Sequence, residues 1–234
     1  MIVAIDGPAG TGKGTISKLI SDRLNFLCID TGAMYRAVTL NLIRNNTSLD
    51  DLQAVLEVLE NSNIELTIDE NGQKTFLNGE DVSSLIRMPD VTSLVSPVSS
   101  IKEIREKLVD LQRKFATGKD IVMEGRDITT VVFPNADVKI YLTADQEERA
   151  NRRYKEMIEK GMNVTFEEVF DSIKKRDHND LTKEYGALKI AEDAIVIDST
   201  NMTIEEVYER VKEIILSKSV WEKRITKWFG TEIL

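Results

Sequence analysis

The chain has little of several things that would direct it elsewhere. One cysteine, Cys28, stands among 234 residues, so no intrachain disulfide can form. Its setting, FLCID, fits a buried thiol in a reducing compartment rather than a nucleophile. Positive charge is scarce: 31 Lys and Arg face 40 Asp and Glu, for a net charge of −9. General nucleic-acid binding needs a basic footprint and is not expected. Any anion site must therefore be a local cluster of Lys and Arg. No stretch approaches the length of a membrane span, and no membrane partner is expected. The apolar N-terminal segment is five residues long and runs into a glycine turn, so a signal peptide is not expected and a cytoplasmic location is. Internal repeats, low-complexity runs and long linkers are missing. What remains is 41% hydrophobic residues, enough for the core of one large α/β domain or a core with inserts.

The chain is organised around its first fifteen residues, MIVAIDGPAGTGKGT. Ile2 to Asp6 has the length and content of a buried strand. A glycine-dense turn follows, and the run from Ile16 to Leu24 has helical spacing. Strand, glycine turn, lysine and helix together make a phosphate-binding loop. The expected cradle is Gly7, Pro8, Ala9, Gly10, Thr11, Gly12, Lys13, Gly14 and Thr15. Glycines let backbone N–H groups face an anion, the helix adds the positive end of its dipole, and Lys13 reaches the outer phosphates. One detail departs from the general G-x-x-x-x-G-K-[ST] pattern. Gly14 follows the lysine, and the hydroxyl arrives one place later at Thr15. Mg²⁺ is then expected through water or on other groups, with Thr15 and Glu124 as candidates. The form G-x-x-G-x-G-K-G-T resembles that of the nucleoside monophosphate kinases.

Further along, the patterning predicts a strand at Phe26–Asp30 and a helix at 33–44 with Met34, Ala37, Val38 and Leu42 on one stripe. Ser48 is the expected cap of a helix over 50–60. Ile64 to Ile68 then alternates with period two, and turns at 69–72 and Asn78-Gly79 give a β-hairpin or small meander. Residues 63–90 read as an inserted lobe, with Met88-Pro89-Asp90 as its exit. A helix is expected at 101–115, strands at 121–123 and 138–142, and a helix from an Asp145 cap to Lys160, broken by Gly161. A helix over 164–177, a strand over 194–197 and a helix over 204–216 complete the pattern. Trp221, Ile225, Trp228 and Phe229 suggest one more helical stripe. Five short strands separated by helices imply a parallel sheet covered on both faces. Ligands bind such sheets at the C-terminal strand ends. Three motifs begin there: Gly7–Thr15, Asp30–Arg36 and Glu124–Asp127.

Arg36 lies about one helical turn past a strand end, where a guanidinium fork can grip a phosphate. Arg126 and Asp127 place a donor fork beside a carboxylate. A carboxylate accepts from the exocyclic amine of cytosine and repels the carbonyl of uracil; a merely structural Arg126–Asp127 ion pair is the alternative. Arg149, Arg152 and Arg153 fall at i, i+3 and i+4, and Arg176, Asp180 and Lys183 at i, i+4 and i+7. Basic charge gathered there suggests a lid over phosphates, against the plainer reading of a solvated helix surface. Arg152 and Arg153 are adjacent and do not share one heading. His178 is not needed as a general base, because a phosphate acceptor is already a nucleophile.

The segments GPAGTGKGT, DTGAMYRAVT, NGEDV, EGRDITTVVFPNADVKIYL, ERANRR and KKRDHND resemble the bacterial cytidylate kinases, from Met1 to about Leu216. EGRD followed by TVVFP, together with DTGAMYR, sets this family apart from adenylate kinases. The resemblance implies a P-loop NTPase fold: a five-stranded parallel sheet with helices on both faces, a small β-containing insert and a helical lid. The core would be 1–62 and 91–234, the lid about 150–183, and 63–90 the lobe for the monophosphate. It implies phosphoryl transfer from ATP, with Mg²⁺, to CMP and dCMP. Lys13, Arg36, Arg126, Arg149 and Arg153 would neutralise the transferring group, and Arg152 would join the ATP side. Thr31 would line the acceptor site, and Arg36, Arg126 and Lys183 would hold the acceptor phosphate. Ser96, Arg105 and Asp127 would face the cytosine, and Arg176 and Asp180 the sugar. Lys183 stands where the family usually has arginine, KEYGALKIAEDA lacks the family's usual proline, and Asn179 interrupts a usually more basic lid. A monomer is expected. The rivals are a kinase for UMP or AMP, and a nucleotide-dependent switch. The switch is suggested by a D-x-x-G match at 69–72, but no N-K-x-D for guanine accompanies it.

Overall fold

The computed structural model describes residues 1–69 and 72–229, with side chains described for 1–68 and 72–218. The chain opens with β1 (Ile2–Asp6), α1 (Lys13–Leu24), β2 (Leu27–Asp30), α2 (Thr31–Arg44) and α3 (Leu52–Glu60). A meander of β3 (Ile64–Asp69), β4 (Gly72–Leu77) and β5 (Glu80–Asp81) follows, then α4 (Pro89–Val98) and α5 (Lys102–Ala116). The second half runs β6 (Ile121–Gly125), β7 (Val138–Thr143), α6 (Gln146–Glu159), α7 (Phe166–Thr182), β8 (Ile195–Asp198) and α8 (Ile204–Phe229).

Five strands form one parallel sheet in the order β2-β6-β1-β7-β8, as expected from five short apolar runs separated by helices. β1 lies at its centre, and Val3, Ala4 and Ile5 are wholly buried. Side chains alternate across a strand. Val3 and Ile5 accordingly join Ile16, Ile20, Val207 and Val211 on the α1/α8 face. Ala4 joins Val109, Ala116 and Met123 on the other. A third apolar cluster runs from α2 through Leu77, Val82 and Ile86 to α4 and α5, so the meander shares its core with four helices. The α6/α7 pair has a small core of its own, Ala150, Val169 and Ile173, with Tyr154 packed edge-on against Phe166.

Several boundaries differ from the sequence reading for local reasons. α1 starts at Lys13, because Gly12 takes a φ of 90° and turns the chain directly into the helix. Asp30 caps α2, its Oδ1 accepting from Ala33 N at 3.2 Å. Asp51, not Ser48, caps α3, accepting from Ala54 N at 3.1 Å. Ser48 Oγ instead accepts from Asp50 N at 3.3 Å within the turn. α4 was not foreseen: Met88-Pro89-Asp90 reads as an exit, yet Pro89 occupies the first helical position, where a missing N–H costs nothing. Asp145 precedes α6 without a capping hydrogen bond from its side chain. α7 runs past Asp177 to Thr182, started by a capping box of Thr165 and Glu168. A five-residue helical turn, Ile128–Val132, follows Asp127 and was also missed. The backbone of α8 continues well beyond Leu216. The expected stripe of Trp221, Ile225, Trp228 and Phe229 lies outside the described side chains, as do Glu70 and Asn71 of the D-x-x-G match. Among the described residues no helix is long and apolar enough to cross a membrane.

Candidate functional site

β1, β2 and β6 end side by side, and their C-terminal ends carry the three motifs. The loop after β1 is held close to β7: a Cβ on Gly7 would collide with the Leu142 carbonyl, so only glycine fits. Lys13 is buried, and its Nζ donates to the Pro8 carbonyl at 2.7 Å, as Thr11 Oγ1 does at 3.2 Å. Burial, followed by repulsion from Arg126, pulls the Lys13 ammonium down to about 7. Gly14 faces Glu124, whose Oε1 stands 3.0 Å from where a Cβ would be. Burial, then the neighbouring Asp30, holds the Glu124 carboxyl above its ordinary range. Thr15 is exposed in the first turn of α1.

Arg126 and Arg176 lie within electrostatic reach of Lys13, and Arg36 within reach of both arginines, so that each arginine depresses the ionisation of a neighbour. Arg126 Nε donates to Asp180 Oδ2 at 2.7 Å and Nη1 to the Gly125 carbonyl at 3.1 Å. Burial opposes its charge, but Asp180 reverses that and raises it overall. Lys183 Nζ lies 3.8 Å from Asp180 Oδ1. Arg36 Nη1 is 3.9 Å from Asp30 Oδ2, within ion-pair range but beyond hydrogen-bond reach, and that buried nitrogen has no hydrogen-bond partner. Arg176 Nε is likewise buried and unpartnered; burial, then Arg126 and Arg36, pulls this guanidinium down to about 9. Ser96 Oγ on α4 is a third orphan.

Asp127 pairs with Arg105, not with Arg126, and both side chains are buried. The structural Arg126–Asp127 ion pair weighed from the sequence does not form, because Arg126 turns to α7 and Asp127 to α5. Arg105 Nη1 also donates to the Ser99 carbonyl at 3.1 Å, and its guanidinium lies 5.6 Å from the Tyr35 ring centroid. Gly186, at φ 63°, presses on that guanidinium where any Cβ would collide.

Other expected site residues are engaged within the protein. Arg149 donates to the Ala144 carbonyl at 2.9 Å, the Ala9 carbonyl at 3.0 Å and both Asp177 oxygens at 3.1 and 2.6 Å. Gly10 abuts the Arg149 backbone, so the start of α6 lies against the loop. Arg152 turns to Glu148 and Ser199. Thr31 Oγ1 donates to the Glu124 carbonyl at 2.7 Å. Arg153 is half exposed, with Glu156 at 2.7 Å, and His178 is exposed. The i, i+3, i+4 spacing located this cluster but not its headings, which depend on what each guanidinium meets in another element.

Sequence reasoning missed four contributors. Asp6 accepts from Ile128 N, Thr129 N and Thr129 Oγ1 at 2.9, 2.7 and 2.6 Å. Gln73 in β4 brackets the Asp30 peptide, accepting from its N–H at 2.8 Å and donating to its carbonyl at 3.3 Å. Arg87 reaches Asp30 Oδ2 at 2.7 Å. Ser199 contacts the loop from beyond β8, its hydroxyl 3.5 Å from the Thr11 carbonyl. Only Asp6 left a local signal, as a charge at the end of an apolar strand.

A family model described as cytidylate kinase matches residues 3–217. A cytidylate kinase of Caldicellulosiruptor bescii is 51% identical over 212 residues, 91% of this chain and 94% of that protein. A cytidylate kinase of Carboxydothermus hydrogenoformans is 48% identical over 219 residues, 94% of this chain and 99% of that protein. Among solved structures, a gluconokinase from Sinorhizobium meliloti aligns with a TM-score of 0.50 at 9% identity, covering 97% of this chain and 96% of that one. An uncharacterized protein from Eubacterium ventriosum aligns with a TM-score of 0.50 at 14% identity, covering 93% and 98%. The two structures speak for the fold alone, a parallel α/β sheet covered by helices. The sequence matches go further: the chain belongs to the cytidylate kinase family.

Proposed function

We propose that this crevice transfers the γ-phosphoryl group of ATP to CMP or dCMP, giving ADP and the diphosphate. The observation that carries the reading is a pair of buried guanidinium nitrogens without hydrogen-bond partners, Arg36 Nη1 and Arg176 Nε, both within electrostatic reach of Arg126 and, for Arg176, of Lys13, with Ser96 Oγ on α4 likewise unpartnered. Each unpaired buried group costs about 1–3 kcal/mol, which an anionic ligand would offset.

In this reading the loop from Gly7 to Thr15 takes the ATP phosphates on its backbone N–H groups, and Lys13 leaves Pro8 for the outer phosphates. Arg36, Arg126 and Lys183 hold the acceptor phosphate, Arg176 and Asp180 the sugar. Ser96, Arg105 and Asp127 face the base, where a carboxylate rewards the cytosine amine. The acceptor phosphate attacks in line and no covalent intermediate is needed. The positive groups neutralise charge as it spreads over the transferring phosphoryl. Arg149 serves as a strut between the loop and Asp177, while Arg153 and Arg152 flank the ATP side. Residues 63–90 form the lobe over the monophosphate, and about 150–183 the lid that excludes water from the reaction.

Mg²⁺, which the kinase family implies, fits the donors present. Glu124 and the exposed Thr15 hydroxyl supply oxygens next to the loop. Mg²⁺ keeps several waters and is bound mainly through substrate phosphates with one or two protein oxygens. When bound it draws off charge from the phosphate oxygens. The enzyme acts in the cytoplasm as a monomer on small nucleotides.

ADP release measured with CMP, dCMP, UMP, AMP and GMP tests the reading. CMP and dCMP are expected to be the preferred acceptors. Preference for UMP or AMP would refute the base assignment, and ADP release independent of any acceptor would favour a nucleotide-dependent switch.

A further inference from the structure

We infer that Asp6 is a positioning residue that sets the acceptor-binding loop against the ATP-binding loop. The inference rests on the cytidylate reading of the crevice and adds a residue to it. Asp6 ends β1, directly before Gly7. Its last ladder partner is Gly125, the end of β6. Past that pair the backbone ladder stops, and Arg126 and Asp127 leave the sheet. The Asp6 side chain then takes over the connection. Its carboxylate is wholly buried and gathers three donors from the residues after Asp127: Ile128 N at 2.9 Å, Thr129 N at 2.7 Å and Thr129 Oγ1 at 2.6 Å. One rigid group therefore holds Arg126 and Asp127 between two fixed points, Gly125 in the ladder and Ile128 on Asp6. Hydrogen bonds to an ionised acceptor are short and directional, which suits a fixed distance between two loops.

Burial holds the Asp6 carboxyl above its ordinary range, against which the three donors from Ile128 and Thr129 favour the ionised form. In that form Asp6 lies within electrostatic reach of Lys13 and Arg126 and favours the charged form of both. In this reading it touches neither nucleotide: its carboxylate is wholly buried and turned to Ile128 and Thr129. Its effect on the reaction runs through where Arg126 and Asp127 stand.

The test compares Asp6→Asn and Thr129→Val with the wild type. Asn keeps one acceptor and turns an NH₂ toward a donor. Val keeps the shape of Thr129 and removes only the hydroxyl. For Thr129→Val the KM for CMP is expected to rise about threefold to tenfold, part of what one hydrogen bond to a carboxylate is worth. The KM for ATP should stay within twofold. Asp6→Asn should raise the KM for CMP further and lower the CMP-to-UMP ratio of kcat/KM by about tenfold. If Asp6→Asn does not fold, Thr129→Val decides alone. A merely structural role would lower Tm and leave both the KM for CMP and the ratio untouched in the folded protein; that result overturns the inference. A wild type that fails to use CMP refutes the cytidylate reading and this inference with it. An active wild type with unchanged variants refutes this inference alone.

Discussion

Asp127→Ala is the most informative single perturbation, because its cost follows from the burial of one ion pair. The Arg105 and Asp127 side chains are 7% and 6% exposed. Solvent screening, which makes exposed pairs nearly worthless, does not reach them. Deleting the carboxylate leaves a buried guanidinium with the Ser99 carbonyl at 3.1 Å and the Tyr35 ring at 5.6 Å. Breaking a buried pair from one side costs about 3–5 kcal/mol, because a charge stays behind uncompensated. Removing both partners strands no charge. Arg105→Met with Asp127→Ala should therefore recover about 2 kcal/mol relative to Asp127→Ala alone. The assay is urea unfolding of the nucleotide-free protein, read by far-UV circular dichroism, with an unchanged slope as the condition for comparing midpoints. Asp127→Ala within 1 kcal/mol of wild type on the order-of-magnitude scale for buried pairs, or a double variant less stable than the single, would refute the reasoning. In the same variant, preference for CMP over UMP should fall by about 1.5–3 kcal/mol, the worth of a charged hydrogen bond.

Two further outcomes follow from other parts of the structure. Lys13 is pulled from the ordinary lysine range to about 7 in the free protein. The unfolded chain binds its proton up to about 10.5, so this group's contribution to stability rises with pH between about 7 and 10.5. A bound triphosphate restores the charge, so ATP binding at pH 8 should take up most of one proton. Calorimetry in buffers of different ionisation enthalpy measures it, and Lys13→Met should abolish it; equal uptake in that variant would exclude Lys13 as the source. Thr165→Ala removes a capping box in which Thr165 N donates to Glu168 at 2.8 Å and Glu168 N to Thr165 Oγ1 at 3.2 Å. A loss of about 1 kcal/mol in thermal or urea unfolding is expected, with the CMP-to-UMP ratio unchanged.

The sequence by itself determined the frame. Alternation of Val3, Ala4 and Ile5 between two apolar layers, the glycines before Lys13, and motifs starting at three strand ends are all local patterns, and local patterns follow from dihedral preference and period. They were enough to expect a phosphate site at the C-terminal strand ends of a parallel sheet, and the resemblance of those motifs was enough to anticipate the family. Helix starts such as Pro89 and Asp51 were harder, since capping depends on which of several nearby polar groups the turn geometry selects.

Only the tertiary structure decided the pairings. Arg126 chose Asp180 over its neighbour Asp127, Arg105 took Asp127 from 22 residues away, and Arg149 closed on Asp177 and the Ala9 carbonyl. Arg36, Arg176 and Ser96 were left with buried atoms unpaired. A buried charge takes whichever partner the fold brings within about 3 Å, and that distance is set by how sheet and helices pack rather than by position along the chain.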